Sequence, residues 1–309
     1  MVKKEIATHQ VVLEFEEPVA AEVPAGSELV LKLRASCSAG CDLTGGTVRL
    51  MSGEETIQEI SGTRPNEAEE SALKVPKELG TYSWTVLFPR QEANGVVHEE
   101  ASVPVTFATK PHESSLAVWD VPSTAVTGEQ FSVKVGARSS GACVLKGTKV
   151  DILDTDDAVV GSGQLGDTPW PGTSALYWKE VELTAPAKEG IVSWTARFAA
   201  TDSELPHTGA RVQFGFAAVL PPEHRLTIKI VEQDTEKPIE NVQVRLGPFR
   251  SATDECGVAE LSMPKGSYEM TIWHPRWESP STQVEVFEDA TIELRSRPVP
   301  EDDPDARWA

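Results

Sequence analysis

Hydrophobic and polar positions alternate one for one along short stretches of this chain. Leu29, Leu31 and Leu33 are interleaved with Val30, Lys32 and Arg34, and Val192, Trp194, Ala196 and Phe198 with Ser193, Thr195 and Arg197. A side-chain period of two belongs to a β-strand that buries one face and wets the other. Runs of this kind fall near residues 10–16, 28–35, 46–52, 55–60, 70–75, 81–88 and 101–108. Clusters of Gly, Pro, Asn and Ser separate them, and no amphipathic helix of useful length interrupts them. The pattern predicts an all-β chain built from antiparallel sheets.

The chain also repeats itself. A shift of 102 residues aligns 26–50 with 128–152 without a gap, with identities that include Gly26/Gly128, Lys32/Lys134, Cys41/Cys143, Leu43/Leu145 and Gly45/Gly147. A shift of 110 aligns PKELGTYSWTVLF (76–88) with PAKEGIVSWTARF (186–198), and a shift of 109 pairs His98 with His207. Three blocks in the same order establish a duplicated module. The number and spacing of its strands resemble an immunoglobulin-like sandwich. The resemblance is one of pattern, since the paired core cysteines of antibody domains are missing and the Ser-Trp-Thr strand comes late in each copy.

Residues 226–296 carry a more specific set of motifs. They are Lys237-Pro238-Ile239, Val242 with Val244, Thr253-Asp254 with Gly257, and Pro264 with Gly266 and Tyr268. This segment resembles the carboxypeptidase regulatory-like, transthyretin-like sandwich, departing from it at Glu240-Asn241, where the family usually has Gly-Ala. The resemblance implies a non-catalytic accessory module. Asp254 and Gly257 are expected to make a hairpin turn, Asp by bonding nearby backbone and Gly by taking positive φ. The expected organisation is three tandem antiparallel β-sandwich modules: repeat one at 1–109, repeat two at 110–218 and the carboxypeptidase regulatory-like module at 219–298. An acidic, Pro-rich, disordered tail is expected at 299–309.

Charge narrows the partners. Over 309 residues, 48 acidic side chains against 28 basic ones give a net charge of −20, which repels phosphate backbones and anionic headgroups. Nucleic acid is therefore not expected as a partner. No apolar run is long enough to span a bilayer, so membrane insertion is not expected either. The start, MVKKEIATHQVVLEFEEP, lacks the apolar stretch of a secretory leader, and a cytoplasmic location is expected, with export as the alternative.

Chemistry-bearing residues are few. Cys37 and Cys41 form a C-x3-C pair with no second close pair in sequence, so small half-buried thiols are expected there, with a disulfide inside the loop as the alternative and no metal. Trp84 and Trp194 fall on inward registers and are expected in the core. His98 and His207 are expected to bond turn carbonyls at a strand edge. Asp154, Asp156 and Asp157 are expected in a solvated turn. No nucleophile elbow, zinc-protease helix or phosphate loop occurs, so no catalytic residue, cofactor or enzymatic activity is expected.

The second copy is longer between its third and sixth strands, where Trp170, Tyr177 and Trp178 stand in a Gly-, Pro- and Thr-rich stretch. Together with Trp273, Arg276 and Trp277 they are the candidate partner-binding residues, either as a contact surface or as caps on their own sandwiches. The expected function is a non-catalytic binding protein that serves a larger assembly as scaffold or accessory subunit and recognises a protein partner. The alternatives are an exported or surface protein that binds carbohydrate or a wall partner, and an enzyme of unrecognised type.

Overall fold

The computed structural model describes residues 8–61, 69–93, 95–201 and 204–299. Every regular element among them is a strand, and no helix is long and apolar enough to cross a membrane. The expected tail lies outside the described residues from 300 onward. Among the described residues the chain divides into two compact units. One comprises residues up to 115 with 138–145 and 199–210; the other comprises 116–137, 146–198 and everything from 211.

The first copy begins with β1 (Thr8–His9), β2 (Val11–Phe15), β3 (Glu22–Pro24), β4 (Glu28–Cys37), β5 (Thr47–Ser52) and β6 (Glu55–Ser61). It continues through β7 (Glu69–Lys74), β8 (Thr81–Phe88), β9 (Gln91–Ala93), β10 (Val96–His98) and β11 (Ala101–Lys110). One sheet runs β2–β4–β7, the facing one β3–β11–β8–β5–β6, and a small third β1–β10–β9. Burial alternates along β4, so that Leu29, Leu31, Leu33, Ala35 and Cys37 all point inward. They close a core with Val48, Leu50, Trp84, Val86, Phe88 and Phe107, in which Trp84 meets Phe107 edge to face at 4.8 Å.

The second copy comprises β12 (Ser114–Trp119), β13 (Thr124–Val126), β14 (Gln130–Ser139), β15 (Lys149–Leu153) and β16 (Val159–Gln164), then β17 (Tyr177–Thr184), β18 (Gly190–Phe198) and β19 (Ala210–Val219). Its sheets run β12–β14–β17 and β13–β19–β18–β15–β16. That is the order of the first copy, strand for strand, including the parallel pairing of β3 on β11 and of β13 on β19. Trp194 meets Phe216 edge to face at 5.0 Å, as Trp84 meets Phe107. The repeat in sequence is therefore a repeat in architecture, two immunoglobulin-like sandwiches. Asp154 sits at the β15–β16 hairpin and accepts the amides of Asp156 and Ala158, both at 2.9 Å, on one carboxylate oxygen.

The last region holds β20 (His224–Glu232), β21 (Gln243–Leu246), β22 (Phe249–Ala252), β23 (Val258–Met263) and β24 (Gly266–Trp273), followed by β25 (Trp277–Glu278), β26 (Thr282–Val286) and β27 (Ala290–Pro298). Sheets β23–β20–β27–β25 and β22–β21–β24–β26 face each other across Ile228, Ile230, Val244, Leu246, Met263 and Met270. The Thr-Asp-x-x-Gly motif has a physical account. Thr253, only 3% exposed, donates its hydroxyl to the Ile239 carbonyl at 2.7 Å and accepts the Val242 amide at 2.9 Å. Asp254 accepts the amides of Cys256 and Val258. Gly257 has φ of 74°, and a Cβ there would lie 2.6 Å from the Ile230 carbonyl oxygen, so no other residue fits without moving backbone.

Two outcomes are expected. Thr253→Val keeps the shape but leaves a buried amide and a buried carbonyl unpaired, so it lowers stability by about 1–3 kcal/mol, seen as a reduced urea midpoint at unchanged slope. Trp84→Ala and Trp194→Ala each cost about 3–5 kcal/mol as core truncations, read the same way.

Candidate functional site

Among the described residues, two places in the fold bring chemistry-bearing side chains together. The first lies at the end of β4. Cys37 is its last inward-facing residue, 8% exposed, rather than part of the loop beyond. The chain then turns back on itself: the Gly40 amide donates to the Cys37 carbonyl at 2.9 Å, and the Ala39 amide points at the Cys37 sulfur at 3.4 Å. This turn carries Cys41 to the same point. Two histidines distant in sequence arrive there from the small sheet, where β1 and β10 pair in parallel with His9 opposite His98. His9 Nδ1 lies 2.9 Å from Cys41 Sγ and 3.8 Å from Cys37 Sγ. One ligand atom from each of His9, Cys37, Cys41 and His98 lies within 4.8 Å of every other.

The electrostatics of the pair are lopsided. Burial pushes the Cys37 thiol up, but the amides of Ala39, Cys41 and Gly40 and the Cys41 thiol outweigh it, and the net shift is downward. Cys41 is raised, first by its hydrogen bond to Cys37 and then by desolvation. His98 differs from its expected role. It bonds no turn carbonyl; it is 0% exposed, and neither ring nitrogen has a hydrogen-bond partner. Phe88 and His9 lie edge-on to it, at 6.5 and 6.1 Å between ring centres.

The second copy has the counterpart of this place with one ligand changed. His112 and His207 form the same parallel bridge, Cys143 stands for Cys41, and Ser139 stands for Cys37. The turn is kept, with the Gly141 amide 3.3 Å from the Ser139 hydroxyl. The imidazoles, however, are tied to backbone: His112 Nε2 donates to the Ala25 carbonyl at 2.7 Å and His207 Nδ1 to the Leu205 carbonyl at 2.8 Å. His207, with its turn carbonyl, does what was expected of it. Burial is the main reason its basicity is lowered; the bond to Leu205 opposes this and the neighbouring His112 adds to it.

The other place is the outward face of β12–β14–β17. Trp119, Trp170 and Trp178 converge there, with ring centres 5.0 Å apart for Trp119–Trp170 and 4.9 Å for Trp170–Trp178, both edge to face. The Lys134 ammonium sits 5.3 and 6.0 Å from the Trp170 and Trp178 ring centres and pairs with Asp120 at 2.5 Å. Trp178 is a strand residue directly opposite Gly136. Trp119 lies across that glycine, where a Cβ would come within 2.9 Å of the indole. The first copy has the Lys32–Glu17 pair at 2.6 Å in the position of Lys134–Asp120. In place of Trp119 and Gly136, though, it has Glu16 and Arg34, an ion pair. One copy has exchanged an ion pair for an indole on a glycine.

Of the six sequence candidates, Trp170 and Trp178 belong to this cluster. Tyr177 does not: it faces the core, 8% exposed, because the strand already begins at Tyr177 and alternation sends neighbours to opposite faces. Trp273, Arg276 and Trp277 flank the turn between β24 and β25. Trp273 points to solvent at 66% exposure, Trp277 packs on the core beneath, and Arg276 is exposed, so the two indoles face different ways. Trp119 and Lys134 were not singled out in sequence, nor were His9 and His112 as partners of the cysteines. The signal for all four is the comparison of the two copies position by position.

No family model and no curated protein matches the chain. Among solved structures it is similar to the adhesin InvE of Yersinia pseudotuberculosis, at 19% identity over 69% of this chain and 58% of that one, with a TM-score of 0.27. It is similar to BcpA, the major pilin subunit of Bacillus cereus, at 8% identity over 94% of this chain and 100% of that one, with a TM-score of 0.23. A third likeness is to an ectodomain fragment of ICAM-5, at 13% identity over 89% and 75%, with a TM-score of 0.30. Scores of this size carry no weight for function, and the fold stands on the strand orders themselves.

Proposed function

We propose that the protein is a non-catalytic binding protein, a scaffold or accessory subunit that holds a protein partner on the outward face of β12–β14–β17. The observation that carries this reading is the indole of Trp119 lying on Gly136 where the other copy has the Glu16–Arg34 pair. A sandwich needs nothing aromatic on its outer face, since its core is closed by the inward rows. Three indoles clustered there, part-exposed, offer a large and stiff apolar area at small entropic cost, the composition of interface anchors. Glu180 and Glu182 are exposed on the same face of β17, beside Asp120. The matching partner surface is apolar at its centre and basic at its rim.

The third sandwich fits the same reading as an accessory module of the carboxypeptidase regulatory-like kind. Its support is local: the Thr253–Asp254–Gly257 turn described above, and the next turn, where the Tyr268 hydroxyl donates to the Pro264 carbonyl at 3.0 Å. The boundaries 1–109, 110–218 and 219–298 belong to this proposal as well.

The test uses the full chain, wild type and the Trp170→Ala and Trp178→Ala variants, as baits in the native host. Loss of a specifically recovered protein in both variants, at unchanged melting temperature, is the expected result. A loss of about 3–5 kcal/mol in stability from either change marks the indoles as caps on their own sandwich and removes the site. Recovery of a wall glycan instead of a protein favours the surface-protein reading.

A further inference from the structure

We propose that His9, Cys37, Cys41 and His98 bind one zinc ion in the first sandwich. Zinc takes thiolate sulfur at about 2.3 Å and imidazole nitrogen at about 2.0–2.1 Å in a tetrahedron, which sets neighbouring ligand atoms roughly 3.3–3.8 Å apart. The four ligand atoms already lie within 4.8 Å of one another, so the site closes by small side-chain adjustments. Two thiolates and two neutral imidazoles balance the charge of a divalent cation, which suits a place where Cys37 and His98 are buried. Binding exchanges the thiol protons for metal–sulfur bonds, and the protons leave to solvent.

His98 is the independent witness. A buried imidazole with neither nitrogen paired is costly, and His98 has no partner on either nitrogen. A metal bond supplies one on the side that faces His9 and the cysteines. The turn from Cys37 to Cys41 fits the same role, because amides aimed at a sulfur, such as that of Ala39, stabilise a thiolate ligand. The second copy gives the contrast. With Ser139 in place of the buried cysteine, both histidines spend a nitrogen on a backbone carbonyl. The first copy's group is the one such cluster among the described residues. The stoichiometry follows: one ion per chain, not two.

The experiment is metal analysis of the full chain purified without chelator, followed by cobalt(II) titration of the apoprotein. One zinc per chain is expected, with a cobalt complex that shows the intense visible bands of tetrahedral coordination and a sulfur charge-transfer band of two-thiolate strength. Melting temperature should fall on chelation and recover on zinc addition. Cys41→Ser, at the half-exposed position, should abolish stoichiometric uptake, whereas Cys143→Ser should leave it unchanged. If Cys41→Ser fails to fold, the two-thiolate band of the wild type still decides. Three results overturn the proposal: no stoichiometric uptake by the wild type, uptake unaltered in a folded Cys41→Ser chain, or a Cys37–Cys41 disulfide in protein prepared anaerobically with zinc.

Discussion

In each immunoglobulin-like copy one strand has both of its faces in use, and its register governs everything around it. In the first copy that strand is β4, paired with β2 on one side and β7 on the other. Its inward row runs from Leu29 to Cys37, so the same alternation that builds the core ends by aiming a thiol at His9. In the second copy it is β14, whose inward row of Val133, Val135 and Ala137 is buried, while Lys134 and Gly136 underlie the indoles on the other side. A slip of one residue would turn every side chain over. Core and cysteine site in the first copy, and core and aromatic face in the second, are thus not separate features; each pair shares the hydrogen-bonded register of one strand, held by the burial of its leucines or valines.

Duplication explains why the copies part company where they do. The positions that close the core are kept in kind, as Trp84 with Phe107 and Trp194 with Phe216 show. Away from the core each copy was free to change, and the changes are paired rather than scattered. Glu16 and Arg34 correspond together to Trp119 and Gly136: a Cβ at position 136 would come within 2.9 Å of the Trp119 indole, and an arginine there would hold it off. Cys37 corresponds to Ser139, and the histidines nearby are rearranged with it. Paired changes of this kind are what the proposed partner face and the proposed metal site require of the two copies.

Much of this was legible in the alternation of the sequence, and what was not has physical reasons. In the first copy, strands of five residues or more announce themselves by period two. The three-residue β3 and β13 do not, since one buried side chain apiece sets up no period. Tyr177 and Trp178 stand together in a Gly-, Pro- and Thr-rich stretch that shows no period, and the pairing of β14 with β17 sends them to opposite faces. The cysteine site was the harder case. Metal ligands are usually sought as close pairs in sequence, and here only Cys37 and Cys41 are close. His9 and His98 meet because β1 and β10 pair in parallel, and parallel pairing of distant segments leaves no local mark.

That parallel pairing is also the weakest link in the first sandwich, which gives the cysteine site its structural sense. The β1–β10–β9 sheet consists of strands of two or three residues, and ladders so short contribute little stability of their own. Nothing in its few hydrogen bonds accounts for burying His98 completely. A tetrahedral bond set that joins His9 on β1, His98 on β10 and the end of β4 would anchor this small sheet to the main sandwich at one point. It would constrain a loop of nearly the whole module, where a cross-link removes most chain entropy. The counterpart in the second copy, lacking the second thiol, uses backbone carbonyls on its histidines instead, and among the described residues the segments around His112 and His207 meet in isolated bridges. The second thiol and the small sheet occur together in the first copy, whereas the second copy has Ser139 and isolated bridges among its described residues, which is the pattern the proposed metal cross-link calls for.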